Sequence, residues 1–454
     1  MVAAQLRESF VHRINVLNEV MAVSMRYPAQ SRMGGLSNSY TPILLSASFY
    51  PLLFFFSPFC IIEKPQKTNP RVVSFMKIFR AVEAESTNAS APSSQAKKYS
   101  RIKLTLSLIG TTFSFIVTLG IVVTGFSLRV ENFVHSYTQS PYVALLLFVA
   151  VLGVLSGIIS FPLSFYSGFV VEHRYNLSNQ SFVQWLWEQG KAFLVSIPIA
   201  VPLMLLFYFF LREYQALWWL PVATAMFVVS MLLSKIVPVF IMPLFYKFTP
   251  LENDVLKERI LSMCKNTRMN VTGIFTFNLS KTTKKANAGF TGIGKSKRII
   301  LGDTLMQHFS DEEVETVFAH ELGHYVHGHI WKNILVGTLS IYAGLFITSK
   351  LYFLSLGWFG FSSVDQLAAL PMLALWLGVY SLLTSPLSNV LSRKYEFEAD
   401  RYALDRTGNA SAFMSTMRKL AEMNLADTAP HPVIEFLFYS HPSIEKRIRA
   451  AEKA

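Results

Sequence analysis

Apolar stretches of about 20 residues, long enough to cross a bilayer as a helix, recur at 41–62, 105–127, 142–168, 192–211, 217–243, 333–355 and 367–391. The first is broken by Pro42, Pro51 and Pro58 and is the least regular as a helix. Lys235 and Lys350 fall inside or near the ends of spans, where they are expected to snorkel or to face a cavity. Residues 84–98, rich in Ser and Ala, read as a flexible linker. Two polar segments are long enough to fold, 247–332 and 392–454. The pattern predicts an N-terminal extension at 1–40, five spans with their loops at 41–246, a folded segment at 247–332, two spans at 333–391 and a C-terminal region at 392–454.

Seven spans place both polar segments on one side of the membrane, together with the loop 63–104. That loop carries Lys64, Lys67, Arg71, Lys77, Arg80, Lys97, Lys98, Arg101 and Lys103; the other side has little beyond Arg7, Arg13, Arg26, Arg32, Arg129 and Arg212. The positive-inside rule then puts the polar segments in the cytoplasm and the N-terminus outside. Composition agrees, since 52% of the 454 residues are hydrophobic and only 15% charged, against about a quarter charged in soluble chains. The net charge of +13 sits in loops between apolar runs, so topology accounts for it and no nucleic-acid partner is expected. With only Cys60 and Cys264, neither a disulfide nor a cysteine metal site is expected. Residues 1–40 lack the short apolar run of a signal peptide.

The candidate chemistry begins at His320-Glu321-Leu322-Gly323-His324. Residues four apart share a helix face, so His320 and His324 can direct their imidazoles at one ion while Glu321 serves as general base. Ser310 and Glu313 have the spacing of a capping box that starts this helix. A catalytic zinc needs a third protein ligand and an open position. His327 lies seven residues, about 10 Å of helical rise, beyond His320, too far to share an ion. It and His329 are expected to be helix-end or supporting residues. Downstream, Glu396 and Asp400 form another i, i+4 pair; one can ligate the metal while the other supports a histidine. Glu398 points to the opposite side of that helix and reads as an ordinary charge. One motif precedes a span and the other follows one, so the independently counted topology brings them to the same membrane face.

These residues resemble the type I CAAX prenyl proteases, seven-span zinc metalloendopeptidases of the gluzincin kind. The resemblance runs from about residue 100 to the C-terminus. It is carried by Phe161-Pro162-Leu163-Ser164-Phe165-Tyr166, Glu172-His173-Arg174-Tyr175-Asn176, the run Pro243 to Leu251, Asn287-Ala288-Gly289-Phe290, the run Lys297 to Leu305, the His320–His324 motif, the run Ser392 to Asp400, and the run Tyr439 to Ser443. It implies a mainly α fold: a seven-helix transmembrane bundle enclosing a chamber, with a cytosolic zincin-like metalloprotease domain containing a small β-sheet. It further implies that one zinc ion is bound by His320, His324 and Glu396, that Glu321 activates water, and that Asp400 orients a zinc-binding histidine. Asn287, Ala288 and Phe290 would belong to an edge strand pairing with substrate, and His441 would donate to the oxyanion with Arg447 beside it. The implied partners are a peptide or protein substrate, prenylated or not, and membrane lipid, in a bacterial inner membrane or the endoplasmic reticulum. Two departures stand out. Residues 1–40 match nothing expected of the family, and Gly289 with the Thr291–Ser296 turn makes the approach to the substrate strand glycine-rich, predicting a less apolar pocket there.

Two other functions compete with a CAAX-type endopeptidase. One is a quality-control protease of membrane proteins with the same zinc site, which seven spans disfavour. The other is a transporter, channel or scaffold with a structural or decayed metal motif. Sparse intramembrane charge and the lack of paired broken helices weigh against it.

Overall fold

The computed structural model describes residues 92–454 except 266, 268–272 and 292–297. The expected extension at 1–40 and the proline-broken span at 41–62 lie outside the described residues.

Six helices among the described residues are long and apolar enough to cross a membrane: Ser94–Val123, Pro141–Arg174, Phe182–Leu217, Trp219–Phe245, His329–Phe359 and Leu367–Thr407. The first four are built on α1 (Pro92–Val123), α3 (Pro141–Phe165), α4 (Phe182–Tyr214) and α5 (Trp219–Ile236), with α2 (Phe126–His135) joining the first two. A single π turn carries α3 on to Arg174 and another carries α5 on to Phe245. Pro162 lies inside α3, and Pro198 and Pro202 inside α4; spanning helices tolerate such breaks where neighbours satisfy the freed backbone groups.

The helix ends sort into two faces. On one, the buried Glu131 of α2 accepts hydrogen bonds from the Leu367 amide (3.0 Å) and Gln366 Nε2 (3.0 Å). There too, Tyr208 donates to the Asp365 carbonyl at 3.1 Å. The opposite face carries the polar region. It comprises β1 (Phe248–Pro250), α6 (Asp254–Lys265), β2 (Gly273–Phe277), β3 (Ala288–Thr291), β4 (Arg298–Gly302), α7 (Asp303–His308) and α8 (Asp311–Val326). The spanning helix α9 (His329–Ser355) follows, and then α10 (Leu370–Thr407), which crosses and continues as one 38-residue rod into the polar region. Helices α11 (Ala410–Met423), α12 (Pro432–Phe438) and α13 (Ile444–Ala451) complete that region.

The sheet order is β1-β2-β4-β3, with β2 and β4 parallel and the outer pairings antiparallel. Among the described residues strand β3 therefore pairs on one side only, with Ala288 opposite Leu301 and Thr291 opposite Arg298. Buried residues of β4, α7 and α8, including Ile299, Leu301, Leu305, Val314, Phe318 and Leu322, pack with Ala403 and Phe413 into one core. That core clamps α8 against α10 and so determines where the site can form.

Candidate metal centre

Helix α8 starts as its sequence predicts. The Ser310 hydroxyl accepts from the Glu313 amide, and the Glu313 carboxylate accepts from the Ser310 amide at 2.8 Å. Glu313 also receives Ser415 Oγ at 2.6 Å and Lys419 Nζ at 2.6 Å, which binds the helix start to α11. Burial opposes ionisation of Glu313, but the Lys419 and Ser415 contacts prevail and hold its pKa below the usual carboxylate value.

About three turns on, His320 and His324 face α10. The contact is close because residue 323 is glycine: a Cβ there would meet the Ala399 Cα at 2.9 Å and the Tyr402 Cβ at 3.0 Å. Glu396 thereby reaches the histidine pair. The two Nε2 atoms are 3.2 Å apart, His324 Nε2 is 3.3 Å from Glu396 Oε1, and His320 Nε2 is 3.4 Å from Glu396 Oε2. A tetrahedral zinc site with bonds of about 2.0–2.1 Å has ligand-to-ligand edges of about 3.3 Å, so these donors fit one small divalent cation. Among the described residues they are the one group of such side chains close enough to hold a metal ion.

Each imidazole is held from behind. His320 Nδ1 lies 2.8 Å from Asp400 Oδ1, and Asp400 is gripped by Arg447 through Nε at 2.7 Å and through a second guanidinium nitrogen. Burial opposes charge on His320, but Asp400 and Glu396 outweigh it and raise the imidazole pKa to about 10 in the metal-free chain. Arg447 is buried, and against that burial Asp400, Glu396 and Glu321 keep it firmly protonated. His324 Nδ1 lies 3.0 Å from His329 Nδ1, whose Nε2 lies 2.9 Å from Glu398 Oε2. With Nε2 of His324 directed at a metal, its Nδ1–H donates to His329 and the Nε2–H of His329 donates to Glu398, so one set of tautomers satisfies every group.

Glu398 is thus no ordinary charge. It ends the chain of contacts that fixes His324, because His329 at the start of α9 reaches both His324 and Glu398. The overlooked signal is Gly328: its left-handed φ of 67° ends α8 and turns His329 back towards His324. His327 caps the end of α8, exposed and outside the donor group.

The other expected site residues gather nearby. Glu321 is half-buried beside the ligands. His441 Nδ1 lies 2.9 Å from Glu396 Oε2. Asn287 precedes edge strand β3, its carbonyl accepting from the Gly302 amide at 2.8 Å, and Ala288 and Phe290 are in the strand. The segment leading into β3 is tied to the spans by Glu172, which accepts from Tyr99 at 2.7 Å and pairs with Lys103 at 3.0 Å and Lys285 at 2.9 Å.

Paired histidines on one helix, a carboxylate on a second and apolar spans anchoring both define a membrane-embedded metalloprotease. Comparison with known proteins agrees. Residues 250–454 match the model of peptidase family M48, and residues 83–247 match that of the CAAX prenyl protease N-terminal region, described as five membrane helices. An uncharacterized metalloprotease of Bacillus subtilis (strain 168), YhfN, is 31% identical over 90% of this chain and 94% of its own length. CAAX prenyl protease 1 of Saccharomyces cerevisiae is 31% identical over 68% of this chain and 72% of its own length. The crystal structure of S. mikatae Ste24p shares the fold, with a TM-score of 0.71 at 24% identity, covering 85% of this chain and all of that one. The chain belongs to the M48/CAAX prenyl protease family and is a zinc metalloendopeptidase.

Proposed function

We propose that this enzyme cleaves peptides laid along β3, with its active site facing the cytoplasm, and that C-terminal CAAX segments carrying a prenyl group are its substrates. The donor triangle of His320, His324 and Glu396 is the observation that carries the proposal. The chemistry zinc supplies in such a site is Lewis-acid polarisation of the scissile carbonyl and of a water molecule.

Glu321 takes the proton of the attacking water and delivers it to the leaving amine. His441 faces Glu396 through Nδ1, and its imidazole donates to the carbonyl oxygen as negative charge develops there. Asp400, held by Arg447, orients His320. The side of β3 away from β4 accepts the substrate backbone as an added strand, with Asn287, Ala288 and Phe290 as its contacts and Arg447 close to the bound peptide. The cytoplasmic orientation is supported by the basic residues at the site end of the spans.

A central chamber is supported by how little the spans bury. Val222 and Ala223 are the buried residues of α5, whereas Val228, Leu232, Ile236 and Phe240 beyond them are exposed, as in a thin wall. The substrate assignment is supported by the family, in which relatives from yeast, mouse, human and Arabidopsis thaliana bear the name CAAX prenyl protease 1 or its homolog.

Glu321→Gln retains stoichiometric zinc and loses peptide cleavage by a factor on the order of a thousand or more; full activity in that variant refutes the mechanism. Paired assays with prenylated and unprenylated versions of one peptide test the substrate. Equal kcat/KM for the two removes prenyl recognition while leaving the protease chemistry intact.

A further inference from the structure

Helix α10 carries more than the third donor and the support for His320. Asn389, Arg393, Glu396 and Asp400 follow one another at helical spacing and form a single stripe along it. The stripe meets the C-terminal segment from α12 to α13. Asn389 Nδ2 donates to the Leu437 carbonyl at 2.9 Å, Arg393 donates to the Glu435 and Tyr439 carbonyls, Glu396 faces His441, and Asp400 accepts from Arg447. The last two contacts belong to the metal centre. The first two lie outside it, where the chain turns towards His441.

His441 stands in the middle of the loop 439–443 that joins α12 to α13, and both ends of the loop are pinned. At its start, one terminal nitrogen of Arg393 donates to the Glu435 carbonyl at 2.9 Å and to the Tyr439 carbonyl. A cation near a helix C-terminus commonly satisfies its last carbonyls, which accounts for the first bond. The second goes beyond the helix, because Tyr439 is extended, with φ −108° and ψ 121°, and begins the loop. At the far end, the buried Glu435 carboxylate accepts from the Ser443 amide at 3.2 Å and from Lys446 Nζ at 2.7 Å. Pro442 adds a third restraint, since the residue before a proline is kept from helical backbone. The His441 imidazole thereby arrives 2.9 Å from Glu396 through Nδ1.

A donor stabilises a developing oxyanion best when it is held in place before the reaction, and an irregular loop has no hydrogen-bond ladder of its own to hold it. We propose that Arg393 and Glu435 are positioning residues for the hydrolysis, acting through His441. That role rests on the oxyanion contact proposed above for His441. It also explains why the two runs Ser392 to Asp400 and Tyr439 to Ser443 share one chemistry: the first supplies the clamp and the second the group it holds. Lysine is a partial substitute at 393, because its ammonium is a point charge without the planar fork of a guanidinium.

The test is a double-mutant cycle on the zinc-loaded full chain in detergent, read by kcat and KM on one fluorogenic peptide and by zinc content. His441→Ala is expected to lower kcat by about a hundredfold or more. Arg393→Met is expected to lower it by about ten- to a hundredfold, and both variants keep full zinc and a KM within about twofold of the parent. Affinity for a phosphinic peptide, a tetrahedral mimic of the transition state, falls by a factor similar to that in kcat/KM. In the His441→Ala background, Arg393→Met costs less than about threefold more, because the group it positions is already gone. Arg393→Lys recovers part of the lost rate. Arg401→Gln, on the exposed side of the same helix, leaves kcat unchanged. Where Arg393→Met loses zinc, Glu435→Ala takes its place in the cycle with the same expected pattern, and loss of zinc from both assigns them to the fold and overturns the proposal. Losses that multiply in the double variant overturn it too. A loss in His441→Ala without one in Arg393→Met removes the positioning role alone, whereas unchanged kcat in His441→Ala removes the oxyanion contact and the positioning role with it.

Discussion

Gly323→Ala separates two opposing effects at the contact between α8 and α10. Glycine is a poor helix former, and replacing it with alanine inside a helix adds about 1 kcal/mol of stability where the new methyl meets nothing. Here the methyl carbon would lie 2.9 Å from the Ala399 Cα, 3.0 Å from the Tyr402 Cβ and 3.1 Å from the Ala399 carbonyl oxygen. Carbon atoms rest at about 3.5–4.0 Å, so the helices must part by roughly 0.5–1 Å. Overpacking of this kind costs about 1–3 kcal/mol, which cancels or exceeds the helix gain. The larger consequence falls on the metal centre, because Ala399 lies between Glu396 and Asp400 on the same helix. A shift of that size moves Glu396 away from histidines whose Nε2 atoms lie 3.3 and 3.4 Å from its two oxygens, and misplacement of about 1 Å at a reacting centre costs on the order of a hundredfold in rate. The assay combines zinc content after dialysis, kcat/KM on a fluorogenic peptide and thermal unfolding in detergent. Weaker zinc retention and a kcat/KM lower by ten- to a hundredfold are expected, with Tm unchanged or a few degrees lower. A variant with full zinc, unchanged turnover and a raised Tm refutes the close-contact account and leaves helix propensity as the dominant effect.

Glu398→Ala removes the acceptor behind His329 and is expected to lower zinc affinity by about tenfold or more, read by competition with a chromophoric chelator, with activity recovering at excess zinc. Glu313→Gln keeps the cap and should cost about 1–2 kcal/mol at neutral pH through the lost charge in the Lys419 and Ser415 contacts. The pKa of Glu313 is lowered in the folded chain, so its contribution is present above the unfolded value of about 4.5 and vanishes as pH falls through the folded value. The stability gap between variant and parent should therefore narrow as pH falls below 4.5, and a gap that stays constant as the fold is taken to acid contradicts this assignment. Burial pushes the Cys264 thiol up to about 11, so peptide mapping after iodoacetamide treatment at pH 7.5 should find Cys264 unmodified in the folded chain and modified after denaturation.

The spans were legible because lipid demands one property, sustained apolarity, and a window of about 20 residues measures it directly. Their helical ends were not. The run expected at 105–127 belongs to a span from Ser94 to Val123, and that expected at 367–391 to one from Leu367 to Thr407. Hydropathy marks where hydrocarbon ends, whereas a helix continues while its polar turns find partners, as Tyr99 and Lys103 find Glu172. The donor group could be read because His320 and His324 follow helical spacing and Glu396 lies where the topology returns the chain to them. Helical spacing misled at Glu398: the wheel correctly placed it away from Glu396, but the start of α9 brings His329 against it. The parallel pairing of β2 with β4 had no local signal either, since 20 residues separate Phe277 from Arg298 and only the shared core brings them together.

Helix α10 couples the metal centre to the bilayer mechanically. Its 38 residues make a rod about 57 Å long, with its lower part in lipid and Glu396 on its upper part. A thinner or thicker bilayer changes the tilt of such a rod, and a change of a few degrees displaces a metal ligand relative to two histidines anchored on α8. The host membrane's thickness thereby acts on coordination, so a solubilised preparation can keep its secondary structure while its grip on the ion loosens.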